Sequence, residues 1–111
     1  MSKDLLLAQR PRRLEAVDLG PRGVHYVRSL YVPDAMAHYK AMDGIEDKQE
    51  LAALQLAAFV CDAAGVPELT LEEARELVPR LEWQELNAIL KTISGMNSLG
   101  NDALEDARKK A

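Results

Sequence analysis

The chain has 111 residues, 48% of them hydrophobic and 29% charged, with a formal net charge of −4. That composition suits one globular domain with a single modest core and excludes a disordered chain. The lone Cys61 excludes an intramolecular disulfide and fits a reducing compartment. Charge is unevenly spread. Residues 1–33 carry six bases against three acids, a balance of +3, and the remainder carries eight bases against fifteen acids, a balance of −7. An acidic body argues against phosphate-backbone binding as the main activity, because that energy comes largely from Lys and Arg.

In chain order, residues 1–12 read as a flexible basic arm closed by Pro11, and residues 13–111 as one mainly helical (α+β) domain. The apolar stretch Leu5–Ala8 is too short for a secretory signal, which predicts a cytoplasmic location. Arg10, Arg12 and Arg13 read first as a solvated arm or strand flank; contact with nucleic acid or an acidic partner is the second reading. Residues 13–31 read as a β-hairpin around Gly20-Pro21-Arg22-Gly23, with Val17 and Leu19 facing Val24 and Tyr26, or Val27, across the turn. Pro33 and Asp34 open a helix whose stripe is Ala35, Met36, Tyr39 and Met42, ending at Asp43-Gly44.

Asp47–Ala64 is apolar nearly all round from Leu51 to Cys61, interrupted by Gln55 alone. It is too short to cross a bilayer, which takes about 20 residues, and so predicts a central helix buried on several sides. Leu51, Leu54, Leu56, Phe59 and Val60 supply its volume, and Gly65 is the expected stop before Pro67. Thr70 and Glu73 form a capping box for a short helix burying Leu71, Ala74, Leu77 and Val78. Trp83, Leu86, Ile89, Leu90 and Ile93 repeat at helical spacing up to Gly95. Asn101 begins a last helix with Glu105–Lys109 and Asp106–Lys110 pairs. The total is four to five helices with an N-terminal hairpin.

Candidate chemistry is sparse. His25 and His38 lack metal-ligand spacing, Cys61 lies inside the apolar run, and the Gly20–Gly23 turn has no phosphate-loop pattern. The reading is a non-enzymatic protein without cofactor or metal. Met36, Met42 and Met96, with Tyr39 and Trp83, carry two readings. Core packing explains such stripes first. The alternative is an adaptable apolar surface that receives partner helices, with Met36, Tyr39, Met42 and Met96 as its contacts and Glu46, Asp47, Glu82 and Glu85 as an acidic rim.

The succession of elements, with Tyr26-Val27-Arg28-Ser29-Leu30 closing the hairpin, Cys61-Asp62-Ala63-Ala64-Gly65-Val66-Pro67, the capped Leu-Thr-Leu-Glu-Glu-Ala helix and the late Asn97-Ser98-Leu99, resembles the small tail assembly chaperones of long, non-contractile-tailed bacteriophages and prophages. The resemblance covers about residues 13–111; members commonly have Asn-Gly-Leu-Ser where this chain has Asn97-Ser98-Leu99-Gly100. It implies a protein of the host bacterial cytoplasm, absent from the mature virion. Such a protein binds the tape measure protein, keeps it soluble and promotes tail tube assembly around it. Implied further partners are the tail tube protein and a frameshift-extended form of the chain itself, for which the Lys109-Lys110 codons are a candidate slippery site. Self-association is also allowed. The alternative from another class is a small cytoplasmic helical adaptor or regulator unrelated to phage tails.

Overall fold

The computed structural model describes residues 2–97, arranged as α1 (Ser2–Leu7), β1 (Leu14–Asp18), β2 (Val24–Arg28), α2 (Val32–Met42), α3 (Lys48–Phe59), β3 (Val60–Cys61), α4 (Leu71–Leu77) and α5 (Trp83–Asn97). Short 3-10 turns lie at Gly20–Arg22 and Val78–Arg80. The result is the expected small α+β domain with an N-terminal hairpin. The expected last helix, with its Asn101 cap and charge pairs, and Lys109-Lys110 fall outside the described residues.

Helix α3 is the hub. Asp47 caps it by accepting from the Gln49 and Glu50 amides. Ala52, Ala53, Leu56 and Phe59 are buried, and Leu51, Leu54, Ala57 and Ala58 are half-buried. This all-round burial is what the near-continuous apolar run predicts. Leu56 is fully buried, whereas Leu54 lies at the edge of the core. The sheet, α2, α4 and α5 all pack on or beside α3.

The sheet order is β1-β2-β3, antiparallel throughout. Val17 pairs with His25 and Glu15 with Val27, so Val17 and Val27 share the inward face and are buried. Val27 is therefore the inward partner; Val24 points outward at 54% exposure. The turn sits where expected, with Gly20 at φ 61° and Gly23 at φ 88°, a region L side chains avoid.

Helix α3 stops at Phe59, earlier than expected. Val60 and Cys61 turn extended and pair with Val27 and Tyr26. The Asp62 carboxylate then accepts from the Ala64 and Val66 amides, and Gly65 takes φ 84°. Asp62 and Gly65 thus shape a tight loop after a strand, not a helix stop. Early termination leaves the Ala58 carbonyl open, and Arg28 Nε donates to it at 3.0 Å, fastening the hairpin to the hub.

Thr70 Oγ1 accepts from the Glu73 amide at 3.1 Å and the Glu73 carboxylate accepts from the Thr70 amide at 2.9 Å, so the capping box is complete. Thr70→Ala should lower stability by about 1 kcal/mol, measured as a shift of the denaturation midpoint. An unchanged midpoint would mean the box is redundant.

Two further departures concern helix ends. Helix α5 passes through Gly95 to Asn97, since nothing at Gly95 forces a break. At the other terminus, Ser2–Leu7 of the expected arm form a six-residue helix with no buried residue. Leucine and alanine favour helix locally, and Pro11 limits how far it can run.

Candidate functional site

Two adjacent clefts lie along α3 and together make a groove-like face. The first, about 280 Å³, lies between α2, α3 and α5 and is lined by His38, Tyr39, Gln55, Phe59, Leu90, Ile93 and Ser94. The second, about 320 Å³, continues toward the start of α5 and is lined by Lys48, Gln49, Leu51, Ala52, Gln55, Val78, Trp83, Leu86 and Leu90. Gln55 and Leu90 belong to both. Leu51 to Phe59 spans roughly 12 Å of helix at 1.5 Å per residue, so the floor is about two turns long. Tyr39, 60% exposed, stands at one end and Trp83, 74% exposed, at the other.

The groove exists because α2 turns a different face inward from the one its methionines suggest. His38 is buried and packs edge-on to Phe59, ring centroids 5.1 Å apart, with Ala35 and Met42 half-buried on either side. Met36 and Tyr39 are thereby rotated out. Of the four expected contact residues, Tyr39 lines the groove. Met36 is exposed on α2 but lines neither cleft, and Met42 is half-buried outside both. Met96 is a correction: at 5% exposure it is part of the core, so it is not a surface contact. It is turned inward at the end of α5, where its carbonyl accepts from Arg13 Nη2 at 2.7 Å.

The acidic rim also divides. Glu46 and Asp47 are exposed just before the groove's Lys48. Glu85 is engaged elsewhere: its carboxylate accepts from the Glu82 amide at 2.9 Å and from Arg22 Nε at 2.7 Å. The Glu82 amide, then Arg22, hold that carboxyl below its usual range. Leu86 and Leu90 are legible only as part of a helical apolar repeat and Gln55 only as the polar break in the α3 run; nothing local marks them as groove-lining.

The arm arginines are largely taken up internally. Arg12 donates to the Ser29 carbonyl at 3.0 Å, pairs with Asp34 and lies over the Tyr31 ring at 4.4 Å. Arg13 caps the end of α5 as above. A protein that binds nucleic acid through this arm would need those guanidiniums free.

His25 and His38 are perturbed in opposite senses. His25 Nδ1 lies 2.9 Å from Glu68 Oε1 and Nε2 lies 2.8 Å from the Arg22 carbonyl, two acceptors that favour the doubly protonated ring. The Glu68 bond, then the Arg22 carbonyl, raise its pKa above the usual 6.5, while burial lowers that of His38. The stabilisation from His25 is therefore fully present below about pH 6.5 and lost as pH rises through its raised folded value. His38 works oppositely: its charging opposes folding, a cost absent above about pH 6.5 that grows as pH falls through its lowered value. An NMR titration should show His25 ionising above 6.5 and His38 below it, with Glu68→Gln lowering only His25. Two overlapping curves would contradict the assigned contacts.

Among the described residues, no group of three or more His, Cys, Asp or Glu side chains is placed to hold a metal ion. Cys61 is fully buried, and burial pushes its thiol pKa up, away from thiolate chemistry. No described helix is long and apolar enough to cross a membrane.

No family model matches the chain, and no curated protein matches it in sequence. In three dimensions it is similar to the tail assembly chaperone of bacteriophage HK97, with a TM-score of 0.58 over 90% of this chain and 96% of that one. Sequence identity is 10%, so the likeness is one of fold.

Proposed function

We propose that the chain is a non-enzymatic tail assembly chaperone whose groove across α3 holds an apolar-faced helix of the tape measure protein. The observation that carries this is the groove itself: an apolar floor about two helical turns long, open to solvent, with an exposed aromatic at each end. A helix of the partner lays leucine-like side chains along Phe59, Leu90 and Leu86, and Tyr39 and Trp83 cover its ends. Gln55, midway, offers both a donor and an acceptor to a polar group in the partner. The fold shared with the HK97 chaperone supports the family, and the groove supports the mode of binding.

In this reading the protein works in the host bacterial cytoplasm, keeps the tape measure soluble until tail tube subunits enclose it, and leaves before the virion matures. Weak individual contacts suit release, with avidity from several copies along one target. Co-expression with the tape measure protein of the same phage should keep that protein soluble in a complex with this chain. An insoluble, unbound tape measure would refute the proposal.

A further inference from the structure

The two clefts along α3 differ in chemistry. The one toward Trp83 is walled mainly by Leu51, Ala52, Val78, Leu86 and Leu90. The one toward Tyr39 sets His38, Gln55 and Ser94 among Phe59, Leu90 and Ile93. No Asp, Glu, Lys or Arg lines this second cleft, so its polar groups carry no fixed charge.

Two of those polar groups have nothing to bond to. His38 is 7% exposed, and its ring packs against Tyr39 and Phe59 without a hydrogen bond among the described residues. Fully enclosed side-chain nitrogens and oxygens among those residues all have partners. The His38 ring nitrogens therefore keep an opening, and the cleft that the ring lines supplies it. Burial lowers the pKa of this ring, which leaves it neutral near pH 7 with one nitrogen donating and the other accepting. Gln55 is half-buried, and its side-chain amide is likewise unengaged by any described group.

We propose that this cleft takes an asparagine or glutamine side chain of the partner helix, seated between His38 and Gln55; the inference rests on the groove reading above. An amide donates to one of the two groups and accepts from the other. A leucine would bury both without partners, and a carboxylate would enter a desolvated space with no cation beside it. Among these three, the amide alone leaves nothing unpaired.

The consequence is register. A uniformly apolar helix could slide along the groove by a turn at little cost. One amide within an apolar face fixes the position, as a single polar residue does in a coiled-coil seam. The apolar residues about one and two turns along then fall on Leu90 and Leu86, toward Trp83. Discrimination comes from the mismatched registers, each of which leaves His38 and Gln55 buried and unpaired.

Titration calorimetry with helical host peptides tests this. Each peptide carries three leucines on one face and a test residue one turn beyond them, made with the test residue at either end. Glutamine at that place should bind about tenfold or more tighter than leucine or glutamate at neutral pH. In Gln55→Leu the leucine peptide should bind at least as well as the glutamine one. Should that variant fail to fold, the wild-type ranking decides together with the side-chain nitrogen resonances of Gln55 and His38, which should move on adding the glutamine peptide. Equal affinities, a preference for leucine or glutamate, a glutamine preference that survives in folded Gln55→Leu, or unmoved resonances would overturn the inference and leave the groove reading standing. A chain that binds none of the peptides would overturn both.

Discussion

Leu56→Asp is expected to leave no folded protein at neutral pH. The side chain is fully buried in the last turn of α3, facing Leu69, Leu77, Leu81 and Ile89 across a largely apolar space. An unpaired carboxylate there costs several kcal/mol through desolvation, or must take up a proton to escape it. Loss of the leucine removes about 2–5 kcal/mol more. Domains of this size hold roughly 5–15 kcal/mol in total, so the sum reaches or exceeds the whole stability. Leu54→Asp, two residues earlier on the same helix, should fold with a lowered midpoint, because that side chain is half-buried and its carboxylate can turn to water. Circular dichroism and a melting curve on both variants check this. A cooperative Leu56→Asp melt near the wild-type temperature would mean α3 is not the hub.

On the proposed function, Tyr39→Asp with Trp83→Asp should weaken tape measure binding by about 100-fold or more while the fold stays intact. Tyrosine and tryptophan are enriched among the few interface residues that carry most binding energy, each such residue worth about 2 kcal/mol or more on truncation. Both side chains are mostly in solvent, so charging them removes little from the core. Met36→Asp is the matched control. Met36 is as exposed as these two but lines neither cleft, so its replacement should cost little. Co-purification of the partner with each variant, alongside a melting curve, separates lost binding from lost structure.

What could be read from the residues was what local chemistry decides. The Thr70–Glu73 box and the Gly20–Gly23 turn depend on neighbours within four positions, and both stand where their sequence signatures put them. The end of α3 was harder, because β3 is two residues long and exists through its pairing with Tyr26 and Val27, more than thirty positions away. Asp62 and Gly65 are good turn residues, and nothing local says whether a helix or a strand precedes the turn. The inward face of α2 is hidden from the sequence for a related reason. Methionine at 36 looks like the better core residue than histidine at 38, yet His38 packs edge-on against Phe59 and Met36 is left exposed. The groove arises from this rotation and from two elements meeting at Gln55 and Leu90, which no single stretch of sequence encodes.

The proposed seat of a partner helix is the groove across α3. It is tested most directly by following the backbone and methyl resonances of the chain while adding a synthetic apolar-faced helix from the tape measure protein. Shifts should concentrate on Gln55, Phe59, Leu86 and Leu90 and on the Trp83 indole, and should vanish in the Tyr39→Asp/Trp83→Asp variant. Saturable shifts confined to the outer face at Met36 would contradict it.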